Sequence, residues 1–371
     1  MSRIGCLWTG QELVDGDVLN TNAAYIAQLL TAADITVGLH ITVSDESQQI
    51  ADALRFLSLS HDVVLICGGL GPTSDDRTRW AVADALGIEL VFREDAWTHV
   101  TDRLTQLGIE VPENNRQQCY FPEGATLLVN ERGTAHGCCW LTDQTCFAML
   151  PGPPSECRPL FQQQLLPILK ADYSSTPIYR HHWLLLNASE GDVSSLLDGF
   201  DDTEGELAYR VDAPYLEVKY RSAESIPPQF VERMREVLLP WLVSEKNQRA
   251  SQQLVDYLRE VKLTLHISDQ ATAGALETLL RQPGDQSVFF QEGAERDTAD
   301  IQVRVTGLAA YWAGHLSRLE YDSLQLHLRH GDRDYSEALP GRHRGTQTGS
   351  AAAEVVCWRL LQSIKQFVPG K

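Results

Sequence analysis

The sequence predicts an α/β protein whose N-terminal part is a doubly wound, mainly parallel sheet. Over the first 90 residues, short apolar runs alternate with amphipathic ones in the order βαβαβα. The third run, VVLIC, is apolar throughout, as a buried strand requires, and a glycine-rich turn follows it at once. A parallel sheet crossed by helices covers both of its faces and binds ligands past the carboxyl ends of its strands.

RIGCLW reads as the first strand. In NTNAAYIAQLLTAAD, Ile26, Leu29, Leu30 and Ala33 recur at helical spacing, with Thr21 or Asn22 as the cap. VGLHITV is strand-like. ESQQIADALRFLSLS is helical on Ile50, Ala53, Leu54 and Leu57. After VVLIC, RTRWAVADALG turns Val82, Ala85 and Leu86 inward and stops at Gly87. EDAWTHVTDRLTQLG gives a further helix, ENNRQQ a polar stretch, and ATLLVN and CFAML short strands. PGPPSE reads as a rigid turn with Ser155 as N-cap, opening a helix from Cys157 to Lys170.

A break at ADYSSTP precedes a unit of mixed strands and one helix. The polar stretch SEKNQRASQQ leads to a third unit, ending in an amphipathic helix on Val356, Cys357, Leu360, Leu361 and Ile364. The expected domains are 1–172, 176–246 and 251–371, the second a small α+β linker and the third α/β.

Hydrophobic content of 43% suits packed cores. Lys and Arg total 31 against 50 Asp and Glu, a formal charge of −19, which argues against nucleic acid or an anionic membrane as the main partner. No signal peptide or membrane span is legible, so a cytoplasmic location is expected. The eight cysteines form no CxxC pair and read as reduced thiols. Cys138 and Cys139 have no His or Cys at zinc-ligand spacing.

Three segments fall at the strand ends: GQELVDG, SDES and CGGLGPTSDD. In the last, Gly68, Gly69 and Gly71 let backbone N–H groups approach an oxyanion, and the next helix adds its positive N-terminus. No Walker lysine follows, and the spacing is not GxGxxG. Asp75 and Asp76 have two readings. As first-turn acids they complement the helix dipole, Thr73 and Asp76 forming a capping box. Alternatively they hold a divalent cation bridging to a phosphate, since with Glu12 and Asp45 four acids then share one rim.

The stretches GQELVDGDVLNTNAAYIAQLL, CGGLGPTSDDRTR, PENNRQQCYFPEGATLLVNERGTAHG and LPGPPSEC, spanning residues 4–170, resemble the CinA (competence/damage-inducible protein A) family. Its first domain is of the MogA-like, molybdopterin-binding type. Gln11 stands where the family usually has a small or acidic residue, Ser44 replaces a glycine, His136 a proline and Cys157 a methionine.

The resemblance implies metal-dependent cleavage of the diphosphate in ADP-ribose, or binding of a pterin-type ligand. By position it assigns Asp45, Asp75 and Asp76 to the metal (Mg, Mn or Co) and to catalysis. Gly68, Gly69, Gly71 and Thr73 would cradle phosphate. Glu12, Asn20, Asn22, Asn114, Asn115 and Arg116 are candidate ligand contacts, although ENN alone also reads as a turn with Asx caps. Relatives suggest a homodimer.

The middle unit resembles the family's KH-type linker. Its EGDVSSLLDGFDDTEGELAY is acidic and has no GxxG, so a spacer role is expected rather than RNA binding. The last unit resembles a nicotinamide-nucleotide amidase domain that has lost its signature. Gln270 takes the place of the nucleophilic serine, Ala273 that of a glycine, and EGAERDT that of the Tyr-Ser…Lys segment. An amide cannot serve as an activated hydroxyl, so an inactive amidase-like partner is expected. Ser268 is two positions off. His315, His327, His330 and His343 show no ligand spacing.

The leading expectation is therefore a nucleotide diphosphate hydrolase of the ADP-ribose pyrophosphatase type. A MogA-type pterin-binding or adenylyl-transfer protein and a non-catalytic nucleotide sensor or scaffold are the alternatives.

Overall fold

The computed structural model describes residues 3–142, 144–174, 177–200, 205–290, 299–313, 323–339 and 348–367. The chain divides into two compact units, Met1–Pro177 and Ile178–Lys371.

In the first unit the order is β1 (Arg3–Thr9), α1 (Gln11–Asp15), α2 (Thr21–Ala32), β2 (Thr36–Val43), α3 (Ser47–Ser58), β3 (Val63–Cys67), α4 (Thr78–Leu86), β4 (Leu90–Phe92) and α5 (Glu94–Gln106). A 3₁₀ turn (Glu113–Cys119) leads to β5 (Tyr120–Pro122), β6 (Thr126–Leu128), β7 (Gly137–Leu141) and β8 (Cys146–Leu150). Then come α6 (Pro154–Leu160), a π turn (Phe161–Leu165) and α7 (Leu166–Tyr173). The sheet order is β2-β1-β3-β8-β7-β6. The first four strands are parallel; β7 and β6 are antiparallel additions.

Strand alternation decides the two cores. Ile4, Cys6, Trp8, Val63 and Leu65 face Ile26, Leu30, Leu160, Phe161 and Leu169 of α2, α6, the π turn and α7. Leu7, Val64 and Ile66 face Ile50, Leu54, Leu57, Val82 and Val100 of α3, α4 and α5. The sheet is doubly wound as its periodicity predicted.

Several local expectations are corrected. Asn20, not Thr21 or Asn22, caps α2, its side chain accepting from Ala23 N at 2.9 Å. GQELVDG, placed at the end of the first strand without a secondary-structure assignment, contains a short helix. The PGPPSE helix starts at Pro154 with no side-chain cap, because proline is pre-set for the first helical position and needs no N–H there, so Ser155 lies inside it. GCCWL is a strand buried from Gly137 to Trp140 that carries no β-branched signal.

In the second unit β9 (Tyr179–Leu186), α8 (Glu190–Leu197), β10 (Glu206–Asp212), β11 (Tyr215–Ser222), α9 (Pro228–Leu238) and β12 (Leu242–Ser244) form an antiparallel sheet, β10-β11-β9-β12. It carries two helices rather than the one expected. Next come α10 (Ala250–Val261), β13 (Leu265–Asp269), α11 (Ala275–Leu280), β14 (Val288–Phe289), β15 (Ile301–Gly307) and α12 (Ala309–Trp312). The last elements are β16 (Leu324–His330), β17 (Arg333–Leu339) and α13 (Thr348–Phe367). Their sheet order is β14-β13-β15-β16-β17. On α13, Val356, Cys357, Leu360, Leu361 and Ile364 are buried as the spacing predicted. The fully buried Glu354 accepts from Tyr215 Oη (2.8 Å) and from Ser251 N and Oγ, tying β11 to the start of α10.

Candidate functional site

A cavity of about 560 Å³ opens past the carboxyl ends of β1, β3 and β8. The loop after β3 forms one wall. Gly68 and Gly69 hold φ of +113° and +63°, a backbone that side chains rarely adopt. A Cβ at Gly69 would collide with Thr78, which is itself buried and paired with Thr9 (Oγ1···Oγ1 3.1 Å). The glycines thus let the loop lie flat on the start of α4.

Asp76 sits inside this loop. Its Oδ2 accepts from Thr73 N (3.0 Å) and Thr73 Oγ1 (2.5 Å), and Asp76 N donates to Thr73 O (3.1 Å). This is the reach-back half of the capping box, but it closes a turn ahead of the helix, since α4 begins at Thr78 with no acid in its first turn. Asp75 is exposed and borders the cavity. The Thr73 side chain, its own backbone amide and Arg77 hold the Asp75 carboxyl below the usual range.

Opposite stand Glu12 and Asp45, so the four anticipated acids do border one cavity. Asp45 Oδ2 accepts from Gln11 N at 3.0 Å. Burial pushes its carboxyl up, and the charges of Glu12, Asp75 and Asp76 push the same way. Among the described residues no three His, Cys, Asp or Glu side chains are grouped closely enough to hold a metal by themselves. The donor set therefore does not fit an all-protein cage. It fits a hard cation that takes one or two carboxylates and completes its shell from ligand oxygens and water. Asp75, Glu12, Asp76 Oδ1 and Asp45 Oδ1 offer oxygens for that role.

Asn20 and Asn22 also border the cavity, Asn22 donating to Gly152 O at 2.8 Å. Thr73, Asn114, Asn115 and Arg116 are not among its lining residues. Asn114 donates to Pro72 O at 3.0 Å and braces the loop. Asn115 is buried and donates to Gln118 Oε1 at 3.0 Å. Arg116 pairs with Glu113 and lies over the rings of Phe92 and Trp97. The polarity of ENNRQQ satisfies the protein's own backbone more than it faces the cavity.

Four residues gain a place that sequence reasoning did not assign. Gln118 and Glu156 line the cavity, Glu156 accepting from Asn130 Nδ2 at 2.7 Å. Gln117 donates to the loop carbonyls of Gly71 (3.0 Å) and Thr73 (2.8 Å). Arg79 is buried at 2% exposure and donates from Nη1 to Leu70 O at 2.8 Å. Burial pushes its guanidinium down to about 10. All four lie inside the stretches that carry the family resemblance. Nothing in their spacing shows which way they point.

In the second unit Gln270 follows β13, its N–H donating to Val305 O at 2.8 Å. Asp269 Oδ1 accepts from Ala271 N (3.0 Å) and Thr272 N (2.9 Å), and Asp269 also bonds the Thr272 hydroxyl. Ser268 stays within β13 and borders a separate cavity with His266, Arg304 and His327. His327 Nδ1 pairs with Ser336 Oγ at 2.8 Å, and His330 ends β16. The EGAERDT segment, His315 and His343 lie outside the described residues. All eight cysteines are buried and free, and no described helix is long and apolar enough to cross a membrane.

A family profile described as "Probable molybdopterin binding domain" matches residues 5–171. The chain is 32% identical over 316 residues to a CinA-like protein of Geobacter sulfurreducens, covering 82% of this chain and 76% of that one. It is 32% identical over 313 residues to a CinA-like protein of Citrifermentans bemidjiense, covering 83% and 75%. Among solved structures it is similar to CinA of unknown function from Thermoplasma acidophilum. That match has 28% identity, 45% and 98% coverage and a TM-score of 0.42.

Proposed function

The chain belongs to the family of CinA-like proteins, and from that premise we propose that its MogA-like N-terminal domain is a metal-dependent nucleotide diphosphate hydrolase acting on ADP-ribose. One observation carries this reading: a glycine loop and five carboxylates, those of Glu12, Asp45, Asp75, Asp76 and Glu156, border the same cavity. Carboxylates beside a phosphate repel it unless a cation lies between them, and a diphosphate brings oxygens to complete such a shell. A bound Mg, Mn or Co ion supplies Lewis acidity and neutralises phosphate charge.

The chain's own residues do the rest. Asp75, exposed and held ionised by Thr73, is the carboxylate best placed to orient a hydrated cation. Asp45, with its raised carboxyl, is the group suited to accept a proton from an attacking water. Asp76 keeps the loop closed through Oδ2 while Oδ1 stays free. Attack of water on the diphosphate gives AMP and ribose 5-phosphate. The test is to incubate the full chain with ADP-ribose and each of Mg, Mn and Co. AMP formation with at least one ion is expected, and no AMP with any of them sinks the reading.

The cavity's other wall favours a second reading. Leu13, Val18, Leu19 and Pro151 make it apolar, and Leu19 is 83% exposed at its mouth. A flat heterocycle fits such a wall, whether adenine or a pterin. Calorimetry with molybdopterin against ADP-ribose separates the two. Tight binding of ADP-ribose without turnover would favour a nucleotide sensor. The Gln270 position supports no amidase activity in the second unit.

A further inference from the structure

The sheet of the second unit has a face that parallel strands do not call for. β13 and β15 are neighbouring parallel strands within the order β14-β13-β15-β16-β17. Parallel strands are commonly apolar on both faces, as β3 is, where all five residues are buried. β13, β15 and β16 alternate instead. Leu265, Ile267, Val303, Val305, Leu326 and Leu328 share one core with residues of α10, α11 and α13. The residues between them point to the opposite face. They include His266, Ser268, Arg304, His327 and Arg329, which border a cavity of about 740 Å³.

The register sets these side chains in rows across the sheet. Ser268 is paired with Arg304, Arg304 with His327, and His327 with Ser336. On a solvated face an acid across from Arg304 would be stabilising. Both of its cross-strand neighbours are instead hydrogen-bonding groups without negative charge. Among the described residues Arg304 has no ion pair or hydrogen bond, and Arg329 bonds Gly331 O at 3.3 Å but no acid. Among the described residues that border the cavity, these two arginines stand against one acid, Asp334. This local excess of positive charge lies in a chain of formal charge −19. The face is also recessed, since His266 on it is only 3% exposed. A recess lined by one sign of charge focuses its field and concentrates counter-ions.

We propose that this cavity in the second unit is an anion site for phosphate, free or as a monoester. Arg304 offers a planar fork to two phosphate oxygens. Ser268 and His327 flank it on the neighbouring strands, about 4.8 Å to either side. His327 Nδ1 is held by Ser336 Oγ at 2.8 Å, which leaves Nε2 for the ligand. A phosphate has oxygens enough for all three groups, whereas a carboxylate has two.

The test is labelling of His327 by diethyl pyrocarbonate in the full chain at pH 7, located by mass spectrometry. His330 ends the same strand, does not border the cavity and serves as the internal control. Inorganic phosphate and ribose 5-phosphate are the probes, each compared with chloride at equal ionic strength. At least one of them should slow His327 labelling fivefold or more and leave His330 unchanged. The probe that acts at the lower concentration tells a monoester site from a free-phosphate site. Arg304 is exposed, so Arg304→Met should keep the fold while raising the concentration needed at least tenfold. Arg333→Met removes the same charge outside the cavity and should leave that concentration unchanged. Protection below fivefold with both probes, equal protection of His330, or less than a tenfold change in Arg304→Met overturns the proposal. So does an Arg333→Met effect as large as that of Arg304→Met.

Discussion

Two turns in this molecule are built to the same plan, and they end differently. Each follows a parallel strand and is held by an aspartate that binds backbone amides: Asp76 in the loop after β3 and Asp269 at the end of β13. After β13 the aspartate takes the amides of Ala271 and Thr272, Val305 takes that of Gln270, and Trp312 Nε1 donates to Ala271 O at 2.7 Å. The amides of Gln270, Ala271 and Thr272 are thus all met by the protein. After β3 the aspartate takes only the Thr73 amide, and the loop's carbonyls are met by Arg79, Gln117 and Asn114. Its glycine amides remain available beside a cavity. The difference lies in which backbone groups the protein satisfies for itself, because a donor already paired has little left for a ligand.

The sharpest way to break this comparison is to exchange function between the turns. Asp75→Asn should lower ADP-ribose cleavage by about 10²-fold or more while leaving the melting temperature unchanged. Gln270→Ser should release no ammonia from nicotinamide mononucleotide, since the restored hydroxyl lies in a turn whose Gln270, Ala271 and Thr272 amides are already taken by the protein. Retained cleavage in the first variant removes Asp75 from the mechanism. Ammonia from the second shows that the β13 turn is open after all.

A pH test reaches the wall of the first unit that carries Thr134 and Ala135 into the cavity. The buried His136 accepts from Asn130 N through Nδ1 at 3.0 Å, a bond that only the unprotonated nitrogen makes. Burial first, and then His99, hold its imidazole down at about 4, with Asp95 opposing and Arg79 assisting. The unfolded chain therefore binds a proton near 6.5 that the folded chain refuses until about 4. Stability is lost as pH falls through that window, by up to ~3 kcal/mol. Urea midpoints at pH 7 and pH 5 should show this loss in wild type and less of it in His136→Gln. Equal pH dependence in the two would clear His136 of the effect.

The aspartates provide the mildest contrast. Asp269→Ala should destabilise the second unit by about 2 kcal/mol, because it strands the amide of the fully buried Thr272. Asp76→Ala should cost about 1 kcal/mol, since Thr73 is exposed and water replaces the carboxylate, yet it should impair ligand binding more than its stability cost suggests. Denaturant titration of both variants checks the order. A larger cost for Asp76 would reverse the distinction between a turn braced from within and a loop braced from outside.

The fold was legible wherever burial follows a simple period. Val63–Cys67 is apolar throughout and buried throughout, and Ile50, Leu54 and Leu57 mark one face of α3, because strand and helix geometry repeat along the chain. GCCWL escaped because cysteine and glycine carry no strand preference. The candidate site was legible in part for a similar reason. A glycine turn after a central strand, with acids beside it, names its own place at the end of the sheet.

What sequence alone determined is therefore the doubly wound first unit, the position of the cavity and the acids around it. Tertiary structure alone decided which polar residues serve the ligand and which serve the loop. Asn114 and Gln117 bond backbone atoms 42 to 46 residues away, and Arg79 turns inward beneath the loop it follows. Such bonds depend on where packing brings two distant segments together, and an amide or guanidinium side chain looks the same in sequence whether it faces a phosphate or a carbonyl of its own chain.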